Sequence, residues 1–268
     1  MDDVIPALVP PLPRAIDYRR NLPREAAFEW LRGGWRDMVV QPLLSLAYGL
    51  VAFISSWTLI WGMFHYGWGS FLFPAIAAFL VAGPVLAVGL YEKSRRIAHG
   101  EPVSLAAMVF VPARSGGQIL FIGVLLALLM SVWMRAAFII YALFFGMKAF
   151  PGFDHIPAML FATPAGWGML IVGTLAGGLF AAFSFAIGAL SIPMLLDKNL
   201  DAFTAMGTSW ALVWNNLAVM LTWAAIVTTL FALCLATGLA GLIVVFPLLG
   251  HATWHAYKGL PAPEAALS

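Results

Sequence analysis

Cysteine and charge are scarce in this chain of 268 residues, and each shortage excludes something. The one cysteine, Cys234, lies in an apolar run, so there is no disulfide framework and no cysteine-ligated metal site. Charged residues make up 10% of the chain, where an ordinary soluble domain has about 25%. Apolar residues make up 62% and the mean hydropathy is +0.93. That balance excludes a water-soluble globule. A net charge of +2 is too small to argue for nucleic-acid binding. Signature loops are missing as well: there is no GxxxxGK[ST], no GxGxxG and no GxSxG. The opening MDDVIPALVPPLPRAIDYRR is acidic at its start and broken by prolines, unlike a signal peptide. It reads as a flexible cytoplasmic tail over residues 1–23. A single transmembrane domain is expected over 24–258, and a second cytoplasmic tail over 259–268.

What the chain does have is long apolar runs. A bilayer core of about 30 Å needs about 20 apolar residues at about 1.5 Å each. Spans are expected at Leu43 to Phe64, Phe71 to Tyr91, Gly117 to about Ala137, and Ala165 to about Leu190. Leu217 to Tyr257 carries no acidic or basic side chain except His251 and His255, and suits two spans turning at Thr237-Gly238-Leu239-Ala240-Gly241. The expected fold class is therefore all-α, a polytopic membrane protein with six transmembrane helices. Arg14, Arg19, Arg20, Arg24, Arg32, Arg36, Lys93, Arg95, Arg96, Arg114, Lys198 and Lys258 then fall on one side, leaving only Arg135 and Lys148 on the other. Positive charge collects on the cytoplasmic side, so both termini are expected there, in a bacterial inner membrane.

The spans also look repeated, as three helical hairpins with short interfacial amphipathic helices. Pro84-Val85-Leu86, Pro193-Met194-Leu195 and Pro247-Leu248-Leu249 close the second, fourth and sixth spans. Glu92, Asp201 and His255 follow each proline by eight residues; a rival register pairs Glu92-Lys93 with Asp197-Lys198. Residues 24–38 form the clearest amphipathic segment. Ala27, Phe28, Trp30, Leu31 and Trp35 are expected on one face, with Arg24, Glu25, Glu29, Arg32 and Arg36 on the other. In the fourth span Gly173, Gly177 and Ala181 make a small-residue stripe for close helix packing, within the chain or against a partner or second copy.

The runs GWRDMVVQPLLSLAYG, GPVLAVGLYEKSRR, SIPMLLDKNLDAFTA and FPLLGHATWHAY together resemble the bacterial integral membrane proteins catalogued as domain of unknown function 2189. The likeness runs from about Phe28 to Lys258, and GHATWHAY is its most specific piece. The resemblance implies a multi-pass bacterial inner-membrane protein. It carries no established activity and no catalytic residue.

Three groups are candidates for chemistry. His251 and His255 share a helix face and could ligate a metal or a haem iron, with Glu92, Asp197 or Asp201 as the third donor. The plainer reading makes them part of an interfacial belt with Trp254, Tyr257 and Lys258. Arg135 is the one basic group within an expected span. It is read as snorkelling or pairing with Asp154, or as holding an anionic ligand or lipid headgroup. Asp197 and Asp201 are four apart and could be paired carboxylates or a helix cap. No cofactor is expected. The function expected is a non-enzymatic scaffold, assembly factor or accessory subunit. The alternatives are a permease or channel for a small or amphipathic solute and, more weakly, haem or metal handling through His251 and His255. The expected partners are the lipid bilayer and a membrane protein or second copy, not nucleic acid.

Overall fold

A computed structural model describes residues 16–146 and 152–263. The proline-rich opening, Arg14 and Lys148 lie outside the described residues. All regular structure among the described residues is helical: α1 (Ala26–Val39), α2 (Pro42–His65), α3 (Leu72–Leu86), α4 (Val88–His99), α5 (Leu105–Val109), α6 (Gly116–Phe145), α7 (Ile156–Phe161), α8 (Pro164–Gly188), α9 (Ser191–Asp197), α10 (Ala202–Asn215), α11 (Leu217–Ala236) and α12 (Leu242–Gly259). Two short 3-10 turns stand at Gly69–Phe71 and Phe153–His155.

Five stretches are long and apolar enough to cross a membrane: Pro42–His65, Ala75–His99, Gly116–Phe145, Pro164–Asp197 and Leu217–Ala236. α12, expected as the sixth span, is not among them. Its second half carries His251, Thr253, His255, Tyr257 and Lys258, which dilute its apolar content. The turn between α11 and α12 stands at the residues expected, with Gly238 and Leu239 both at positive φ. α6 is longer than expected, because Ala136 to Phe145 continue the same helix rather than lying along the interface. Its 30 residues span about 45 Å, more than a bilayer core.

Prolines explain where the helices break. Pro84 and Pro193 lack the N–H that would bond the carbonyl four residues back, and each stands near an interruption, at Ala87 and at Ala189-Leu190. Side chains from other helices bond the backbone beside the interruptions. Tyr48 Oη–H donates to the Leu86 carbonyl at 2.8 Å. Ser209 Oγ donates to the Ala186 carbonyl at 2.7 Å and accepts from the Leu190 amide at 3.3 Å.

α12 is the centre of the molecule rather than a peripheral span. It packs against α1, α2, α4, α9 and α11 and buries Leu242, Phe246, Pro247, Gly250, His251, Ala252, Trp254, Ala256 and Tyr257. α1 lies directly on it because two glycines allow the approach. A Cβ on Gly33 would stand 2.7 Å from the His255 ring, and one on Gly34 2.6 Å from the Ala252 amide nitrogen. The buried face of α1 is therefore Ala26, Ala27, Trp30, Gly33, Gly34, Asp37 and Met38. This corrects the expected face: Phe28 and Trp35 point outward, about half exposed, while the acid Asp37 points in.

The small-residue stripe of α8 divides. Gly177 faces the Trp133 indole of α6, where an added Cβ would come within 2.9 Å, whereas Gly173 meets nothing within 4 Å and Ala181 is exposed. Only Gly177 serves packing within the chain.

Candidate functional site

Four helices bring polar side chains to one buried point. α1 supplies Asp37, α2 supplies Ser45, α4 supplies Lys93 and Ser94, and α12 supplies His251 with His255 one turn further on. Ser45, Lys93, Ser94 and His251 are each 0% exposed and Asp37 is 7% exposed. Burial without a partner costs such groups dearly, so their hydrogen bonds decide whether the site is stable.

The bonds form a directed chain. Lys93 Nζ donates to Ser45 Oγ at 2.7 Å and to the Gln41 carbonyl at 3.3 Å. An ammonium only donates, so the single Ser45 O–H is free for His251 Nε2, 2.9 Å away. Nε2 is then the acceptor, which places the ring proton on Nδ1, donating to Ser94 Oγ at 2.8 Å. Ser94 also neighbours the Asp37 carboxylate and helps to hold it charged. Asp37 also accepts from His255 Nε2 at 2.9 Å. A cation thus leads through hydroxyl, imidazole and hydroxyl towards an anion, and one tautomer of His251 fits.

Local backbone supports the arrangement. Gln41 adopts φ 51 and ψ 65, a left-handed conformation unfavourable for a residue with a side chain, directly before Pro42. That conformation accompanies the turn between α1 and α2, and the Gln41 carbonyl is there available to Lys93.

Asp37 carries a pH signature. Burial works to raise its pKa, but the hydrogen bonds from His255 and Ser94, with the charge of His255, outweigh burial and hold the carboxyl below its ordinary value. A carboxylate depressed in this way contributes its full stabilisation above the unfolded value of about 3.9. It loses that contribution as pH falls through the lower folded value. Asp37→Asn should therefore lower stability at neutral pH and flatten the acid limb below about pH 4. Tryptophan fluorescence of the detergent-solubilised protein during acid titration checks this; parallel limbs for variant and wild type would contradict it.

The residues singled out from the sequence are mostly engaged elsewhere. Glu92, 0% exposed, takes two bonds from Arg95, at 2.8 and 3.0 Å, and one from Arg96 at 2.6 Å. Asp197 accepts from Tyr257 Oη at 2.8 Å and from Lys258 Nζ at 2.6 Å. Asp201 caps α10 by accepting from the Thr204 amide at 2.9 Å, and the Thr204 side chain, then that amide, hold its pKa below the ordinary value. Asp197 and Asp201 are thus not a carboxylate pair, and none of the three reaches the histidines. Among the described residues no group of three His, Cys, Asp or Glu side chains stands together to hold a metal ion. His251 is fully buried at the centre of the polar chain rather than exposed on a surface belt. Arg135 is exposed on α6 and forms no ion pair with Asp154.

Asp37, Ser45, Lys93 and Ser94 were not expected as site residues from the sequence, where Lys93 stood as a cytoplasmic charge and in the rival repeat register. One signal was present. Gly33-Gly34 marks the face of α1 that meets another backbone, and Asp37 continues that face three and four residues on.

Known proteins add a limited comparison. No curated protein and no solved structure matches the chain. The ending FPLLGHATWHAY, with both histidines, falls outside the segment that a family model covers. Within the chain, residues 72–197, which run from the start of α3 to the end of α9, match the family DUF2189, described as a predicted integral membrane protein.

Proposed function

We propose that this integral membrane protein is a non-enzymatic scaffold, assembly factor or accessory subunit of a bacterial inner membrane, with three hairpins, six crossings and both termini in the cytoplasm. One observation carries the reading: the buried chain from Lys93 to Asp37 spends its hydrogen bonds on itself and ties α1, α2, α4 and α12 into one rigid unit. Such a clamp holds helix ends in place. Ser45 beside His251 has the spacing of a nucleophile and its base, but with both at 0% exposure no substrate reaches the hydroxyl. Away from the clamp's buried contacts the spans are sparsely packed, with 11% of the Pro42–His65 window and 17% of the Gly116–Phe145 window buried. Those faces are available to lipid and to a neighbouring protein.

A permease reading draws on a different feature. An open crevice of about 390 Å³ runs beside the Ala87 interruption, lined by Tyr48, Val85, Leu86, Met108 and Ile119 among others. Its side chains are mostly apolar with polar atoms among them, which suits an amphipathic solute better than an ion.

Native mass spectrometry after gentle extraction tests the first reading. A stoichiometric partner protein is the expected result; bare protein that moves an amphipathic solute across vesicles overturns it. Reporter fusions after His65 and near Asp154 should report the periplasm. Cytoplasmic signals at either point would refute the six-crossing topology.

A further inference from the structure

The outward face of α1 has a composition of its own. Phe28, Leu31, Trp35 and Val39 recur at three- and four-residue spacing opposite the face buried on α12, so α1 carries apolar side chains on both faces. Arg32 and Arg36, four apart, stand beside the outward stripe and are both exposed. Neither guanidinium has a hydrogen-bond or ion-pair partner among the described residues, and Glu29 on the same helix pairs with neither. Three other arginines at this end are committed: Arg95 and Arg96 to Glu92, and Arg20 to the Pro261 carbonyl.

Beneath the two guanidiniums an open groove of about 420 Å³ runs between α1 and α12, lined by Leu31, Arg32, Trp35, Arg36 and Leu248. Its floor is apolar and its charge sits at the rim. A soluble anion would gain the rim and waste the floor, whereas an amphipathic anion uses both. Arginine matches phosphate oxygens in its fork geometry, and tryptophan favours the depth of lipid headgroups.

We propose that this groove binds an acidic phospholipid, with the headgroup phosphate between Arg32 and Arg36 and the upper acyl chain against Leu31, Trp35 and Leu248. The site requires α1 to lie at the membrane surface but is independent of the scaffold reading and of the number of crossings. It also gives the exposed aromatic face of α1 an occupant while the opposite face stays on α12.

Delipidated protein is titrated with phosphatidylglycerol and with phosphatidylcholine and read by native mass spectrometry. Phosphatidylglycerol should be retained preferentially, and R32Q/R36Q should reduce that preference roughly 10- to 30-fold, the scale of two basic groups at an anionic surface. Arg32→Lys with Arg36→Lys should keep most of it. Arg114→Gln, which removes an exposed charge away from the groove, should leave it intact. An equal loss in Arg114→Gln would reduce the effect to general attraction and overturn the site. So would unchanged retention in R32Q/R36Q, or displacement of the lipid by millimolar inorganic phosphate, the sign of a free-anion site. A protein partner that occupies the groove and excludes phosphatidylglycerol would overturn it as well.

Discussion

His251→Ala should destabilise the detergent-solubilised protein by on the order of 3–5 kcal/mol, read as a lowered thermal midpoint by tryptophan fluorescence. Two costs combine. The missing ring leaves a cavity at a point where every neighbour is buried, and it strips Ser45 of its acceptor and Ser94 of its donor. A buried hydroxyl without its partner loses its desolvation cost unrecovered, about 1–3 kcal/mol. Polar chains of this kind are all or none. The informative comparison therefore replaces every member except Asp37, which keeps its bond from His255: Ser45→Ala, Lys93→Met, Ser94→Ala and His251→Leu together should lie closer to wild type than His251→Ala alone. Apolar replacement of a buried charged network is often neutral, whereas removal of one member is costly. If His251→Ala melts with the wild type, the chain of bonds does not hold the helices.

The second large effect lies in the backbone contacts of α12 with α1 and α2. Pro247 has no N–H, so the Ile243 carbonyl loses its usual helical donor, and its oxygen lies against Gly49 of α2. An added Cβ on Gly49 would collide with that carbonyl, as one on Gly34 would with the Ala252 backbone. Backbone cannot step aside as a flexible side chain does, and overpacking of cores costs about 1–3 kcal/mol or more. Gly49→Leu and Gly34→Leu should therefore abolish accumulation of folded protein in the membrane. Gly173→Ala should be neutral or stabilising by up to about 1 kcal/mol, since its surroundings are open. Quantified membrane abundance with fluorescence-detected size exclusion separates the two classes. Equal abundance of all three variants would mean that α12 is not packed between α1 and α2.

The two predictions differ in how far they could be read from the chain. Gly33-Gly34, Gly49 and Pro247 are visible as letters, yet nothing local says which backbone they face. His251 and His255 drew attention as ionisable groups on one helix, and the partners expected for them, Glu92, Asp197 and Asp201, shared their membrane level. The partners found were Ser45, Ser94 and Asp37, 206, 157 and 218 residues away in sequence. Depth in the membrane follows from hydropathy, whereas azimuth around the bundle does not. The face of α1 was misjudged for the same reason: Phe28 and Trp35 are the larger apolar groups, but close approach favours Gly33 and Gly34.

The sequence alone determined the membrane class, the all-helical fold, the turn at Thr237 to Gly241 and the resemblance matched over residues 72–197. These depend on composition and on runs of apolar residues, which are properties of contiguous chain. Only the tertiary structure decided that α12 is a packed core helix, that α1 buries its acid, and that Lys93 and Asp37 are the two ends of one buried polar chain. Those outcomes depend on which helices meet and by which face, and side chains from distant segments become partners only when packing removes them from water.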